Sequence, residues 1–278
     1  MSEIVLAAAV QLTCTSDADA NWSSARGLIE RAAAAGAAFV ATPENTSYLG
    51  PHQEKVRLAQ GLDGETCSRF AELAAKHGIH LLLGSFNERG VEEDGEIRRC
   101  NNTSVLFGPQ GDRLAVYRKI HLFDVNVSPE VSFTESATCA PGDETVVVQT
   151  AVGKLGLTIC YDMRFPELYV RLVGEGAEIL TIPSAFTMTT GKDHWYPLLR
   201  ARAIESQAYV IAPAQSGKHD DNGLRHSYGH SLIIDPWGQV VATASEGPGL
   251  ALAEIDLDLV AKTRAAMPVA DHRASAQY

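Results

Sequence analysis

Three residues that could do acid, base or nucleophilic work each stand directly after an apolar, strand-like run: Glu44 after FVATP, Lys119 after AVYR and Cys160 after GLTI. Strand ends are where α/β proteins gather reactive groups, because the sheet holds them rigidly while the loops leave room for a substrate. A neutral thiol is a weak nucleophile. A neighbouring carboxylate can take its proton, and an ammonium can stabilise thiolate and carboxylate alike, so the trio suits attack of sulfur on an acyl carbon. Each residue also has a plainer reading: Glu44 as a solvated loop residue, Lys119 as surface charge, Cys160 as core filler.

The elements that must position this trio are strand-like runs alternating with Ala-rich helical runs, a pattern of α/β or layered sandwich folds. Residues 4–12 read as a first strand, 17–35 as a helix opening on Asp17 and closing at Gly36, and 38–42 as a second buried strand that delivers Glu44. A helix over about 65–77 follows, with Asp63 as its expected cap and Gly78 as its stop. Strands 79–86, 101–107 and 113–119 are separated by the turn-rich stretches Glu93, Asp94, Gly95 and Gly108, Pro109, Gln110, Gly111, as in an antiparallel meander that ends at Lys119. After a loop over 120–143, strands 144–150 and 153–159 run into Cys160. Helix 165–174, strand 178–183, helix 193–206, strand 208–213 and a hairpin around the DPWG of 235–238 complete the core. From about 256 the chain reads as a short helix and an extended tail. There is no low-complexity linker and no short-period repeat, so residues 1–278 are expected to form one domain.

Composition narrows the partners. A net charge of −11 without any run of Lys or Arg would repel phosphate backbones and anionic lipid, so neither nucleic acid nor a membrane surface is an expected partner. No apolar run approaches the roughly 20 residues of a membrane helix. The N-terminal apolar stretch lacks a basic flank and a cleavage site, which leaves it as a strand rather than a leader. The five cysteines are odd in number, scattered and free of any CxxC pair, which points to a reducing, cytoplasmic setting.

The contexts of the trio carry more. The segments PEN at 43–45, YRKIHLFDV at 117–125 and GLTICYDMRFPEL at 156–168 resemble, in order, the three signature segments of the nitrilase superfamily of carbon-nitrogen hydrolases. The likeness continues through Glu135 and Ser136, PG at 141–142, PSAFTMTTGKDHW at 183–195, RARAIESQAYV at 200–210 and YGHSLIIDPWG at 228–238, which is nearly the whole chain. Within the superfamily it is similar to the amidase branch that includes deaminated glutathione amidase and omega-amidase, with SEGPGL at 245–250 leaning to the former. The resemblance implies an αββα sandwich that pairs as a homodimer into four layers. It also implies hydrolysis of a small amide with Cys160 as nucleophile, Glu44 as general base, Lys119 with the Tyr161 N–H at the oxyanion, and Glu135 orienting Lys119 or the water. Omega-amidase action on 2-oxo amides, N-carbamoyl hydrolysis and nitrile hydrolysis would use the same trio. A scaffold without turnover is the non-enzymatic alternative.

Further candidates are open to two readings. Arg164, four residues past Cys160, could clamp a substrate carboxylate or pair with Glu167 or a subunit interface. Phe186, His194 and Trp195 lie in a matched segment expected to border the pocket, although His194 and Trp195 equally suit a packed helix start. Asp162 suits bracing a loop. No metal or organic cofactor is expected: His226 and His230 are spaced HxxxH but fall on a loop and a strand rather than one helix face, and GxSxG and phosphate-loop motifs are absent. The chemical rival is a Cys and His pairing of Cys160 with His121 or His230.

Overall fold

The computed structural model describes residues 4–90, 97–128, 131–220 and 225–276. Two twisted sheets lie face to face. The first runs, edge to edge, Gly249–Ile255, Val5–Gln11, Ala37–Ala41, His80–Arg89, Cys100–Phe107 and Arg113–Arg118, with the short Cys139–Ala140 added beside Cys100–Phe107. The second runs Val240–Thr243, Leu232–Ile234, Tyr209–Ala212, Ile179–Thr181, Gly153–Leu157 and Val146–Thr150. In each sheet the three central strands are parallel and the flanking pairs antiparallel, apart from the short Cys139–Ala140, which runs parallel to its neighbour.

The period of two along each strand explains the layering. Ala7, Ala9, Phe39, Ala41, Leu82 and Leu106 face the second sheet and join Leu155, Leu157, Ile179, Ile211 and Ile233 in one core. Their neighbours Ala8, Val10, Val40, Leu81, Leu83 and Val105 face outward onto Leu28 and Ile29 of the helix Ala18–Ala34 and Phe70 and Leu73 of the helix Glu65–His77. The outer face of the second sheet is covered by the helices Pro166–Gly174 and Met188–Ser206 through Leu172, Trp195 and Leu199. The order helix, sheet, sheet, helix is the αββα sandwich expected.

Local signals behave as the chemistry requires, with exceptions. Asp17 caps its helix by accepting from the backbone N–H groups of Asp19 and Ala20, and Gly78 closes the next one at φ +63°. Asp63 is not the cap of Glu65–His77. Gly64 occupies that position, the Gln60 side chain accepts from Thr66 N at 2.9 Å, and Asp63 pairs instead with Arg113. The helix expected at 193 starts at Met188, because Thr187 caps it by accepting from Thr190 N. The loop of 120–143 contains the ribbon Asp124–Ser128 with Val131–Thr134 and the 3-10 turn Glu135–Ala137. The short helix expected from about 256 is Leu257–Ala266, and the tail beyond it is helical over Val269–Ser275 rather than extended. The turn expected at Glu93, Asp94 and Gly95 lies outside the described residues.

One contact joins the two sheets at the strand ends that matter. Strand His80–Arg89 shifts register between Leu83 and Phe86, and Gly84 sits in that irregularity. A β-carbon built there would lie 1.8 Å from the Thr42 carbonyl oxygen, 2.6 Å from that of Pro43 and 2.7 Å from the Pro183 side chain. Thr42 and Pro43 lead to Glu44, and the Pro183 carbonyl accepts from Cys160 N at 2.9 Å. Gly84 is thus the spacer between the loop of Glu44 and the loop of Cys160. Gly84→Ala should push these loops apart, lowering stability by about 1–3 kcal/mol as overpacking does; an unchanged denaturant midpoint with wild-type turnover would show that the seam yields freely.

Candidate active site

Glu44 is held by its backbone before its side chain is considered. Asn45, at φ +58°, turns the chain; Asn45 N donates to Ser85 Oγ (2.8 Å), Thr46 N to the Ser85 carbonyl (2.9 Å), and Gln215 Nε2 to the Glu44 carbonyl (2.9 Å). Its carboxylate then meets three donors: Lys119 Nζ at 2.9 Å and Asn102 Nδ2 at 2.8 Å on Oε1, and Ala185 N at 2.8 Å on Oε2. Lys119, 2% exposed, is fixed by its N–H to the Asn102 carbonyl and by Gly142 N to its own carbonyl. Its ammonium also bonds Glu135 Oε2 at 2.9 Å. Glu135 opens the 3-10 turn and accepts from Phe123 N (2.7 Å) and Asn102 Nδ2 (3.1 Å).

Cys160 opens a second 3-10 turn, Cys160–Arg164, at φ +47°. A left-handed non-glycine residue costs about 1–3 kcal/mol and persists only where its surroundings over-determine it. Asp162 supplies that constraint. Fully buried, it accepts from Ile159 N (2.8 Å) and Tyr117 Oη (2.7 Å) on one oxygen, and meets His121 N (3.0 Å) and His121 Nδ1 (2.8 Å) on the other. The loop-bracing reading of Asp162 describes this geometry. His121 in turn stacks on Phe165 at 3.7 Å between ring centroids.

The charges decide the resting protonation. Burial works against the Lys119 ammonium, but Glu135 and Glu44 outweigh it and hold its proton well above the ordinary lysine range. Burial alone would raise the Glu135 carboxyl; Lys119, then Lys55, reverse this and bring it from 4.5 to about 2. Burial, and after it the Glu44 charge, push the Cys160 thiol well above its ordinary value in spite of Lys119. The sulfur therefore rests as a thiol beside a carboxylate rather than as a free thiolate, so any attack by it would require its proton to leave.

Glu44, Lys119, Glu135, Cys160, Tyr161 and Phe186 all line one cavity of about 590 Å³, open mouth included. Three other candidates do not line it. Arg164 points its guanidinium across the Tyr161 and Phe186 rings (5.7 and 5.3 Å to the centroids) and bonds His194 Nδ1 at 3.3 Å. Trp195 is fully buried, 5.3 Å from Phe186, with its indole N–H on the His230 carbonyl. Because the helix begins at Met188, His194 and Trp195 stand in its interior, where Trp195 supports Phe186 from outside the cavity and His194 meets Arg164. Asn102, Lys55, His52 and Arg225 were not singled out from sequence, yet the last three line the cavity and Asn102 joins Glu44 to Glu135. Among the described residues no group of three His, Cys, Asp or Glu side chains is arranged to hold a metal ion.

The profile of the family described as Carbon-nitrogen hydrolase matches residues 6–265. The chain belongs to the carbon-nitrogen hydrolase family. Among its members, this chain is 45% identical over 98% of its length to the deaminated glutathione amidase of Bos taurus, of which it covers 83%. It is 45% identical over 96% of its length to that of Synechocystis sp. strain PCC 6803, covering 97% of that protein. The crystal structure of the C. elegans NitFhit protein superposes with a TM-score of 0.90 at 41% identity, over 98% of this chain and 65% of that longer one. The family assignment agrees with the sandwich and with the superfamily likeness of the three strand-end segments.

Glu135 gives the site a pH signature. Its folded carboxyl releases its proton more readily than the ordinary 4.5, so its ionised form favours folding; that contribution is complete above about 4.5 and disappears as pH falls toward about 2. The gap in urea midpoint between wild type and Glu135→Gln should be widest near neutral pH and close toward about pH 2. Equal midpoints at neutral pH would deny the ion pair its stabilising role.

Proposed function

We propose that this cavity cleaves a small amide through a thioester on Cys160, with deaminated glutathione, an amide of a short 2-oxo dicarboxylic chain, as the leading substrate. The observation that carries the reaction class is a buried cysteine thiol beside a Glu44 carboxylate that is itself fixed by Lys119. Glu44 takes the thiol proton as sulfur attacks the amide carbon, and the Lys119 ammonium with the Tyr161 N–H receives the charge that develops on oxygen. When the tetrahedral adduct collapses, the C–N bond breaks and Glu44 returns the proton to the departing ammonia or amine. Water then enters, Glu44 removes its proton, the hydroxide oxygen attacks the thioester, and the carboxylic acid leaves as the thiol is restored. Glu135 keeps Lys119 oriented and charged throughout.

A Cys and His mechanism has less support. His121 is committed to Asp162 and stacked on Phe165, and His230 Nδ1 meets the Tyr228 carbonyl. His52 lines the cavity, but burial, then Lys55 and Arg225, lower its imidazole to about 3, a poor base for a thiol. The choice of substrate draws on the relatives named deaminated glutathione amidase. We further propose a cytoplasmic homodimer: Ile204 and Trp237, 48% and 56% exposed, present adjoining apolar surface where the helix Met188–Ser206 meets the hairpin after Leu232–Ile234. Among the described residues no helix is long and apolar enough to cross a membrane.

Cys160→Ala should reduce amide hydrolysis to background with the fold intact by circular dichroism. Glu44→Gln should cost ~10²- to 10⁴-fold in kcat and Lys119→Met ~10²- to 10³-fold. Losses confined to KM in either charged variant, or turnover in Cys160→Ala, would contradict these roles.

A further inference from the structure

Away from the sulfur the cavity changes character. From Tyr161, beside Cys160, ring follows ring: Phe123 lies 5.1 Å from Tyr161 between centroids, and Phe133 5.6 Å from Phe123. Beyond Phe133 stand the Arg225 guanidinium, 5.3 Å over its ring, and the His52 imidazole, 6.5 Å away. Lys55 lies on the same short helix as His52, His52–Arg57, and also lines the cavity. It is 2% exposed, and among the described residues no carboxylate lies within ion-pair distance of its ammonium. A buried charge is normally paired, because an ion taken from water without a bonded partner is costly. His52 Nε2 is likewise buried without a hydrogen-bond partner.

We infer that Lys55, with Arg225 lining the same end of the cavity, is the subsite that binds the carboxylate at the end of the acyl chain remote from the scissile carbonyl, and so sets the enzyme's selectivity for amides that carry one. The inference rests on the amidase reading above and adds which residues hold the substrate's remote carboxylate. The Phe123 and Phe133 rings offer an apolar wall for the methylenes between the two ends. A chain of net charge −11 attracts no anion at long range, so a carboxylate that enters must meet a local cation. Lys119 is already bonded to Glu44 and Glu135, and Arg164 lies outside the cavity lining. His52 Nε2 supplies a neutral hydrogen-bonding group at the same end. The competing role for Lys55 is as a counter-ion to Glu135, whose carboxyl it helps to lower. That role would be indifferent to the charge of the substrate.

Glutaramate and valeramide, primary amides of equal chain length with and without a terminal carboxylate, separate the two. Wild type should prefer glutaramate in kcat/KM by about 10-fold or more, and Lys55→Met should erode that preference ~10- to 100-fold, mainly through KM, as loss of a charge-assisted hydrogen bond does. Lys55→Arg should keep most of the preference, and Arg225→Gln should lose part of it. Equal losses on both amides in Lys55→Met would overturn the subsite in favour of the counter-ion. Equal constants for the two amides in wild type would overturn it however the variants fold, while leaving the thioester reading in place, since both amides would still turn over. Wild type that hydrolysed neither amide, nor deaminated glutathione, would bring down the amidase reading itself.

Discussion

An ammonium held away from water between two carboxylates is the constraint around which this molecule is arranged. Lys119, 2% exposed, bonds Glu44 and Glu135 at 2.9 Å each. Taking an ion out of water costs several kcal/mol unless its partners are close, well aligned and themselves satisfied. Here every partner is satisfied by fixed groups: Asn102 donates to both carboxylates, Ala185 N to Glu44, Phe123 N to Glu135. Removing any one member would strand a buried charge, so the cluster is rigid by necessity. That rigidity is what a reaction needs when charge passes from sulfur to oxygen in a site with little water to rearrange.

The sandwich exists, in this sense, to bring four strand ends together. Glu44 comes from the first sheet, Lys119 from the end of its meander, Glu135 from a turn that follows, and Cys160 from the second sheet. The sheets must approach closely at their ends, and Gly84 is where the backbone permits it. Cys160 in turn is held left-handed by Asp162, whose four contacts hold both sides of the loop. The same burial that sharpens the electrostatics keeps the thiol protonated at rest. The mechanism proposed above therefore has Glu44 act in step with attack and needs no standing thiolate.

Much of this was legible in the chain and some was not, for physical reasons. Glu44, Lys119 and Cys160 could be found because each follows a strand-like run and lies in a segment, PEN, YRKIHLFDV or GLTICYDMRFPEL, that resembles a signature of the superfamily. Asn102 could not, since a polar residue within a strand reads as one facing solvent; it is buried because the strand passes between Glu44 and Glu135. Arg164 follows Cys160 closely in sequence, but the 3-10 turn carries it outside the cavity, over Tyr161 and Phe186. Lys55 and His52 sit on a helix of six residues, too short to show a periodic face. The strand Gly249–Ile255 gains its identity by pairing along all seven residues with Val5–Gln11, a partner at the other end of the chain. Pairing at that separation leaves no local mark, whereas the DPWG turn, closed by Asp235 accepting from Trp237 N and Gln239 N, is written in four adjacent residues.

Everything proposed for this cavity depends on passage of the acyl group through Cys160. Rapid acid quenching during turnover of deaminated glutathione, followed by peptide mass spectrometry, reads this directly. The expected result is a mass increment equal to the substrate less its departing amine, carried on the peptide containing Cys160 and absent after the substrate is exhausted. Turnover with that increment on any other side chain, or continued hydrolysis with Cys160 blocked by alkylation, would contradict it.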